Sequence, residues 1–209
     1  MAVVRCDIFY DYRCPFVYNA ALWLNRVKEV WGNDLQVTWR YFSLEYANNP
    51  DGVEFITASE QDHQQPRGIW ALRAGAAARR QGEEAFHRFH LNLLLARHEE
   101  QRNLEDTQVL VDVASVSGLD TQKFQQDICD RSTLRRIAED HTSGIEQYGI
   151  FGTPTFVFEN GATAFLKMLR PPQGEEVAVF RHLITLMQDH PYVGELKRPQ
   201  PPWPKGVQH

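Results

Sequence analysis

One cysteine stands where a strand-like run gives way to a helix-like run, in Tyr10-Asp11-Tyr12-Arg13-Cys14-Pro15-Phe16-Val17-Tyr18. A thiol there faces the free N–H groups and positive end of a helix, which favour its ionised, nucleophilic form. Pro15 suits the first helical position, where its fixed φ fits and its missing N–H is no loss. The spacing predicts chemistry centred on Cys14, with Pro15 and Phe16 shaping its surroundings. It also predicts a depressed thiol pKa. The helix dipole moves a pKa by about one unit at most, so direct N–H bonds must supply the rest. A second segment, Gly149-Ile150-Phe151-Gly152-Thr153-Pro154-Thr155-Phe156-Val157-Phe158, sets a proline ahead of strand composition. Proline belongs at a strand's first residue or on an edge, and an X-Pro bond in a tight turn can be cis. Such a turn is expected to leave the N–H and C=O of Thr153 free to hold an extended ligand backbone, so Thr153 and Pro154 are read as substrate-binding.

The elements that must carry these residues follow from periodicity. Val3 to Tyr10 reads as a strand near the sheet centre, and Pro15 to Trp31 as a helix with apolar residues at helical spacing, stopped by Gly32-Asn33. Leu35 to Phe42 alternates as a second strand, which completes a β-α-β unit with parallel strands. An irregular polar stretch around Asn48 to Gly52 follows. From about Pro66 to Tyr148 the pattern is helical, punctuated at Gly75, Gly82, Asn103 and Gly118. Thr155 to Glu159, the turn Asn160-Gly161 and Ala164 to Leu169 read as a hairpin, and Glu175 to Gln188 as a closing amphipathic helix. The prolines at 199, 201, 202 and 204 exclude helix or central strand from the tail.

Composition narrows the function. The 209 residues are 43% apolar and 23% charged with a net charge of −5, so no basic surface for nucleic acid is indicated. The longest apolar run is too short to span a bilayer, so no membrane is expected, and the N-terminal residues carry no secretory pattern, so the expected setting is cytoplasmic. Cys6, Cys14 and Cys129 form neither a disulfide framework nor a zinc pattern. Four residues of strand, about 13 Å, separate Cys6 from the end of its strand, too far for pairing with Cys14. Cys6 is read as a buried core residue. His87 and His90 share a helix face without ligand spacing elsewhere, so they are read as surface or lid histidines and no metal is expected. Phe86, Phe89, Leu93 and Ala96 form a core stripe. Arg79-Arg80 and Arg135-Arg136 read as solvated faces, and Trp70 with Phe16 as an apolar wall for a substrate.

A strand, Cys-Pro-x-x at a helix start, a long helical insertion, and Gly-Thr-Pro before a hairpin and terminal helix together resemble the DsbA family of the thioredoxin-like fold. Val37-Thr38-Trp39-Arg40-Tyr41-Phe42-Ser43-Leu44 is similar to the pattern of the FrnE-type branch, related to 2-hydroxychromene-2-carboxylate isomerases and kappa-class glutathione transferases. The resemblance implies an α/β, thioredoxin-like fold with a mixed central sheet. Residues 1–62 and 141–195 would form the core, 63–140 an all-helical insertion, and 196–209 a proline-rich tail. Dithiol members carry a second cysteine where this chain has Val17, and the isomerase and transferase relatives carry serine where it has Cys14. The implied activity is a monothiol thiol-disulfide exchange through Cys14, with no tightly bound cofactor and with glutathione or another small thiol as co-substrate. Its partners would be protein or small-molecule thiols and disulfides; the oligomeric state is not readable. The alternatives are a glutathione-dependent isomerase or transferase acting on a hydrophobic small molecule, and a binding module that keeps the fold without turnover.

Overall fold

A computed structural model describes residues 3–48 and 68–198. The first strand, β1 (Val4–Tyr10), leads into helix α1 (Pro15–Trp31), which ends at Gly32 in a positive-φ conformation (φ 55°) that glycine adopts without a steric penalty. One 3₁₀ turn then feeds β2 (Leu35–Tyr41), parallel to β1 with Val4 opposite Leu35 and Tyr10 opposite Tyr41. After a short α2 (Leu44–Asn48), five helices follow: α3 (Ile69–Arg79), α4 (Glu83–His98), α5 (Thr107–Val116), α6 (Thr121–Cys129) and α7 (Ser132–Tyr148). Strands β3 (Thr155–Phe158) and β4 (Thr163–Phe165) and helix α8 (Glu176–Asp189) complete the order. The sheet runs β2-β1-β3-β4, with β3 antiparallel to both its neighbours, so the sheet is mixed and β1 is interior.

Alternation along the strands divides the interior into two faces. Ile8, Tyr10, Phe156 and Phe158 point into a large core shared with α1, α3, α4 and α8, including Val17, Trp23, Leu24, Leu72, Phe89 and Phe180. Each such side chain contributes about 1.5–3 kcal/mol by leaving water. Phe9 and Val157 face the other way and pack with Phe42 and Ile150, and Tyr148 closes this smaller cluster. Helix α7 is fastened to β2 by Asp140, which is 1% exposed. It accepts from Arg40 Nε at 2.7 Å and from the Tyr41 N–H at 3.2 Å. Arg40 also pairs with Asp7 at 3.1 Å, linking β1, β2 and α7.

Several expectations change at this level. Gly75 lies inside α3, not at a break, because a Cβ there would stand 2.8 Å from the Tyr12 hydroxyl and 3.0 Å from that of Tyr10. Asn48 ends helix α2, the rest of the stretch read as irregular lies outside the described residues, and β4 is shorter than the apolar run suggests. Helix α7 runs unbroken through residues 140 and 141, where the sequence reading divides insertion from core. The division at 62/63 and the prolines of the tail lie outside the described residues. His90 is fully buried, and its Nδ1 meets the Tyr12 hydroxyl at 3.2 Å, so it is a core histidine rather than a surface one. Arg79 is not on a solvated face: it donates to the Tyr41 hydroxyl at 3.1 Å and the Trp39 carbonyl at 3.0 Å, and lies over the Phe86 ring.

Candidate active site

The loop between β1 and α1 is set by one buried carboxylate. Asp11, 1% exposed, accepts from the Arg13 N–H at 2.8 Å through one oxygen and from the Leu44 N–H at 2.9 Å through the other. Its own carbonyl accepts from the Cys14 N–H at 3.0 Å, and the Cys14 carbonyl accepts from the Val17 N–H at 3.1 Å, opening the helix. Cys14 is therefore the N-cap of α1, in extended conformation, with Pro15 directly after it. Burial pushes Asp11 up to about 6 despite the N–H bonds that favour its charge.

The second half of the site comes from sheet register. Antiparallel pairing sets Phe9 opposite Thr155, so the residues entering β3 meet those leaving β1. The Thr153–Pro154 bond is cis. The Cys14 thiol donates to the Thr153 carbonyl at 3.1 Å, bringing the two motifs into contact. Pro154 accepts from the Leu166 N–H at 3.1 Å, and the Thr155 hydroxyl donates to the Gly152 carbonyl at 2.8 Å, so both sides of the cis bond are tied down. The Thr153 N–H has no acceptor among the described residues. The expectation that both Thr153 backbone groups stay open holds for that N–H only, since the carbonyl accepts the thiol hydrogen bond.

The expected depression of the Cys14 pKa is overturned. Cys14 is 7% exposed, and burial raises its thiol above the ordinary value. The Thr153 hydroxyl and the N–H groups of Val17 and Phe16 oppose that shift without cancelling it, and the Asp11 carboxylate adds to it. A helix N-terminus lowers a thiol pKa and burial raises it, and at Cys14 burial is the larger effect. Arg13, the nearby cation, is bonded to Glu45 at 2.8 Å. Thr153 Oγ1 is itself buried without a hydrogen-bond partner in this state. A sulfur that loses its proton would give that hydroxyl an acceptor, so the orphaned donor is preorganised for the thiolate.

Pro15 and Phe16 are half-buried beside the sulfur-bearing turn. Phe16 faces the Lys167 ammonium at 5.7 Å from its ring centre, and Lys167 also lies 5.3 Å from Phe165. Phe151, 70% exposed, meets Phe165 edge-on at 4.8 Å. Trp70 is half-buried under the Arg73 guanidinium, at 4.4 Å. The three cysteines are free: Cys6 is buried in β1 with its thiol pushed up to about 12, and Cys129 is exposed at the end of α6. His87 bonds Asn25 at 3.3 Å, and no group of three potential metal ligands occurs among the described residues. Among those residues no helix is long and apolar enough to cross a membrane. Sequence reasoning missed the central part played by Asp11, although an aspartate two residues before an N–H donor at a turn is a local signal for it. Lys167, Phe165 and Phe151 carried no such signal, because only the hairpin geometry brings them here.

Comparison with known proteins agrees with this fold. The chain is 25% identical over 196 residues to an uncharacterised protein of Mycobacterium tuberculosis, covering 94% of this chain and 82% of that one. It is 30% identical over 153 residues to a sodium/proton antiporter of a Mycobacterium species, of which it spans only 21%. Among solved structures, a probable DsbA oxidoreductase of Streptomyces coelicolor superposes with a TM-score of 0.66, at 16% identity and 97% coverage of each chain. The cytosolic disulfide reductase DsbM of Pseudomonas aeruginosa, solved with GSH, superposes with a TM-score of 0.60 at 16% identity, covering 86% of this chain and 98% of that one. At these identities the structural likeness is one of fold. The family model described as DSBA-like thioredoxin domain matches residues 5–173, and the chain belongs to that family.

Proposed function

We propose that this protein is a monothiol thiol-disulfide oxidoreductase in which Cys14 is the only exchanging sulfur. The observation that carries the reading is the Cys14 thiol against the Thr153 carbonyl, beside an open Thr153 N–H and an unpartnered Thr153 hydroxyl. After Cys14 loses its proton to solvent, its thiolate attacks a disulfide R–S–S–R′, forming Cys14–S–S–R and releasing R′–S⁻. A second thiolate then attacks the R sulfur, which releases Cys14 as thiolate and carries R away in a new disulfide. The disulfide is the oxidant, and the incoming thiol restores the enzyme.

Val17 occupies the position where a resolving thiol would stand, and it is fully buried. Release therefore depends on an external thiol at its actual concentration, without the effective molarity of an intramolecular neighbour. Glutathione or a comparable small thiol fits that role, and the Thr153 N–H supplies a strand-like contact for its backbone. The GSH-bound fold neighbour and its cytosolic setting are consistent with this. The test is turnover of a glutathionylated peptide with glutathione, compared between the wild type and Cys14→Ser. Loss of activity in the variant supports the exchange.

One observation favours a second reading. A neutral thiol that donates a hydrogen bond could offer it instead to the sulfur of a bound glutathione thiolate, as an isomerase or transferase site would. Cys14→Ser, which keeps a donor, would then retain activity with glutathione and a hydrophobic acceptor.

A further inference from the structure

The segment after β4 reaches back over the first turn of α1 and carries two cations. The Lys167 ammonium lies 5.7 Å from the Phe16 ring centre and 5.3 Å from that of Phe165, and the Arg170 guanidinium lies 5.7 Å from the Tyr18 ring centre. These are cation–π distances, so both charges are held beside the helix that begins at Cys14. Neither forms an ion pair with a described carboxylate, and of the acids near them only Glu45 is paired with a cation. Glu45 is bonded to Arg13, Glu99 to the Tyr18 hydroxyl, and Asp11 to two backbone N–H groups. Lys167, over the ring of Phe16 two residues after Cys14, thus stands without a described carboxylate partner in a chain whose net charge is −5. Phe165, which meets both Lys167 and Phe151, also lies against Gly152, next to Thr153, whose N–H has no acceptor among the described residues.

We infer that Lys167, supported by Arg170, is an anion subsite beside Cys14, and that the preferred exchange partner is a low-molecular-weight thiol or disulfide carrying a carboxylate. This rests on the exchange reaction proposed above. With Cys14 only 7% exposed, a slender molecule reaches the sulfur more readily than a disulfide on a folded protein surface. A carboxylate on that molecule binds Lys167 while its backbone meets the Thr153 N–H, which places its sulfur against Cys14.

The experiment measures second-order rates of adduct formation at Cys14 in a Cys129→Ser background. The disulfides are glutathione disulfide (anionic), hydroxyethyl disulfide (neutral) and cystamine (cationic). Lys167→Ala should slow the anionic disulfide about three- to fivefold, the range open to one partly exposed charge, and leave the neutral one unchanged. Lys167→Glu should further slow the anionic disulfide and speed cystamine, and the differences should shrink in high salt. The ratio of Cys14 alkylation by iodoacetate to that by iodoacetamide should fall in parallel. An unchanged disulfide preference and an unchanged alkylation ratio in both variants overturn the subsite while leaving the exchange reaction standing. No reaction of Cys14 with any of the three disulfides overturns the exchange reaction, and with it the choice of partner, even if the alkylation ratio still falls.

Discussion

Cys14 is held as a thiol, and Thr153 is the residue placed to change that. Removing the buried hydroxyl without altering shape, in Thr153→Val, deletes a donor that helps only the charged sulfur. A hydrogen bond to a charged group is worth about 1.5–3 kcal/mol, so its loss pushes the thiol further up. Alkylation rate against pH should therefore move to higher pH in Thr153→Val and stay near the wild type in Thr153→Ser. Coincident profiles for Thr153→Val and the wild type would remove Thr153 from the chemistry. Asp11 acts in the opposite sense, since its buried charge raises the thiol. The sequence made Cys14, Pro15, Phe16, Thr153 and Pro154 visible because local backbone rules act on cysteine and proline. The sign of the Cys14 shift was not visible, because desolvation depends on what the rest of the chain lays over the sulfur.

At the scale of elements, the β-α-β unit, the hairpin and the terminal helix were legible from period and turn residues, and α1 begins and ends at the residues its signals mark. Gly75 was misread because a glycine forced by packing looks the same in sequence as one that ends a helix. Its replacement distinguishes the two. In a helix interior Gly→Ala ordinarily stabilises by up to about 1 kcal/mol. Here the new Cβ would press on the hydroxyls of Tyr12 and Tyr10, both fully buried and unable to withdraw. Gly75→Ala should destabilise by about 1–3 kcal/mol in urea unfolding. A gain in stability would show that α3 does not pack as described. Register carries function here: β3 pairs with β1 so that Thr153 arrives at Cys14, and no pattern within either segment specifies that long-range pairing.

At the scale of the whole molecule, buried histidines make stability depend on pH. Burial lowers His98 and His141 to about 4 and His90 well below its ordinary value. His98 bonds the Tyr12 carbonyl at 2.9 Å, and His141 Nδ1 accepts from the Ser43 N–H at 3.3 Å, a bond that needs the neutral ring. Unfolded, each titrates near about 6.5, so between pH 6.5 and 4 the unfolded chain binds more protons and folding weakens as pH falls. Asp11, raised to about 6, works the other way: the folded state holds its proton between about pH 6 and the ordinary carboxylate range near 3.9. His87 is lowered by burial as well, so four histidines oppose one carboxyl and the net effect is a loss of stability as pH falls through this window. The urea midpoint should fall steadily from pH 7 to pH 5. A flat or rising midpoint would mean that these rings are hydrated and charged in the folded protein.

The central claim is that one sulfur, Cys14, enters and leaves a mixed disulfide. The direct measurement is intact-protein mass with peptide mapping on Cys129→Ser after brief exposure to glutathione disulfide, followed by excess glutathione. One glutathionyl group should appear on Cys14, vanish on addition of the thiol, and fail to appear in the Cys14→Ser variant of the same background. An unmodified Cys14, or an adduct that excess thiol cannot remove, would contradict the account.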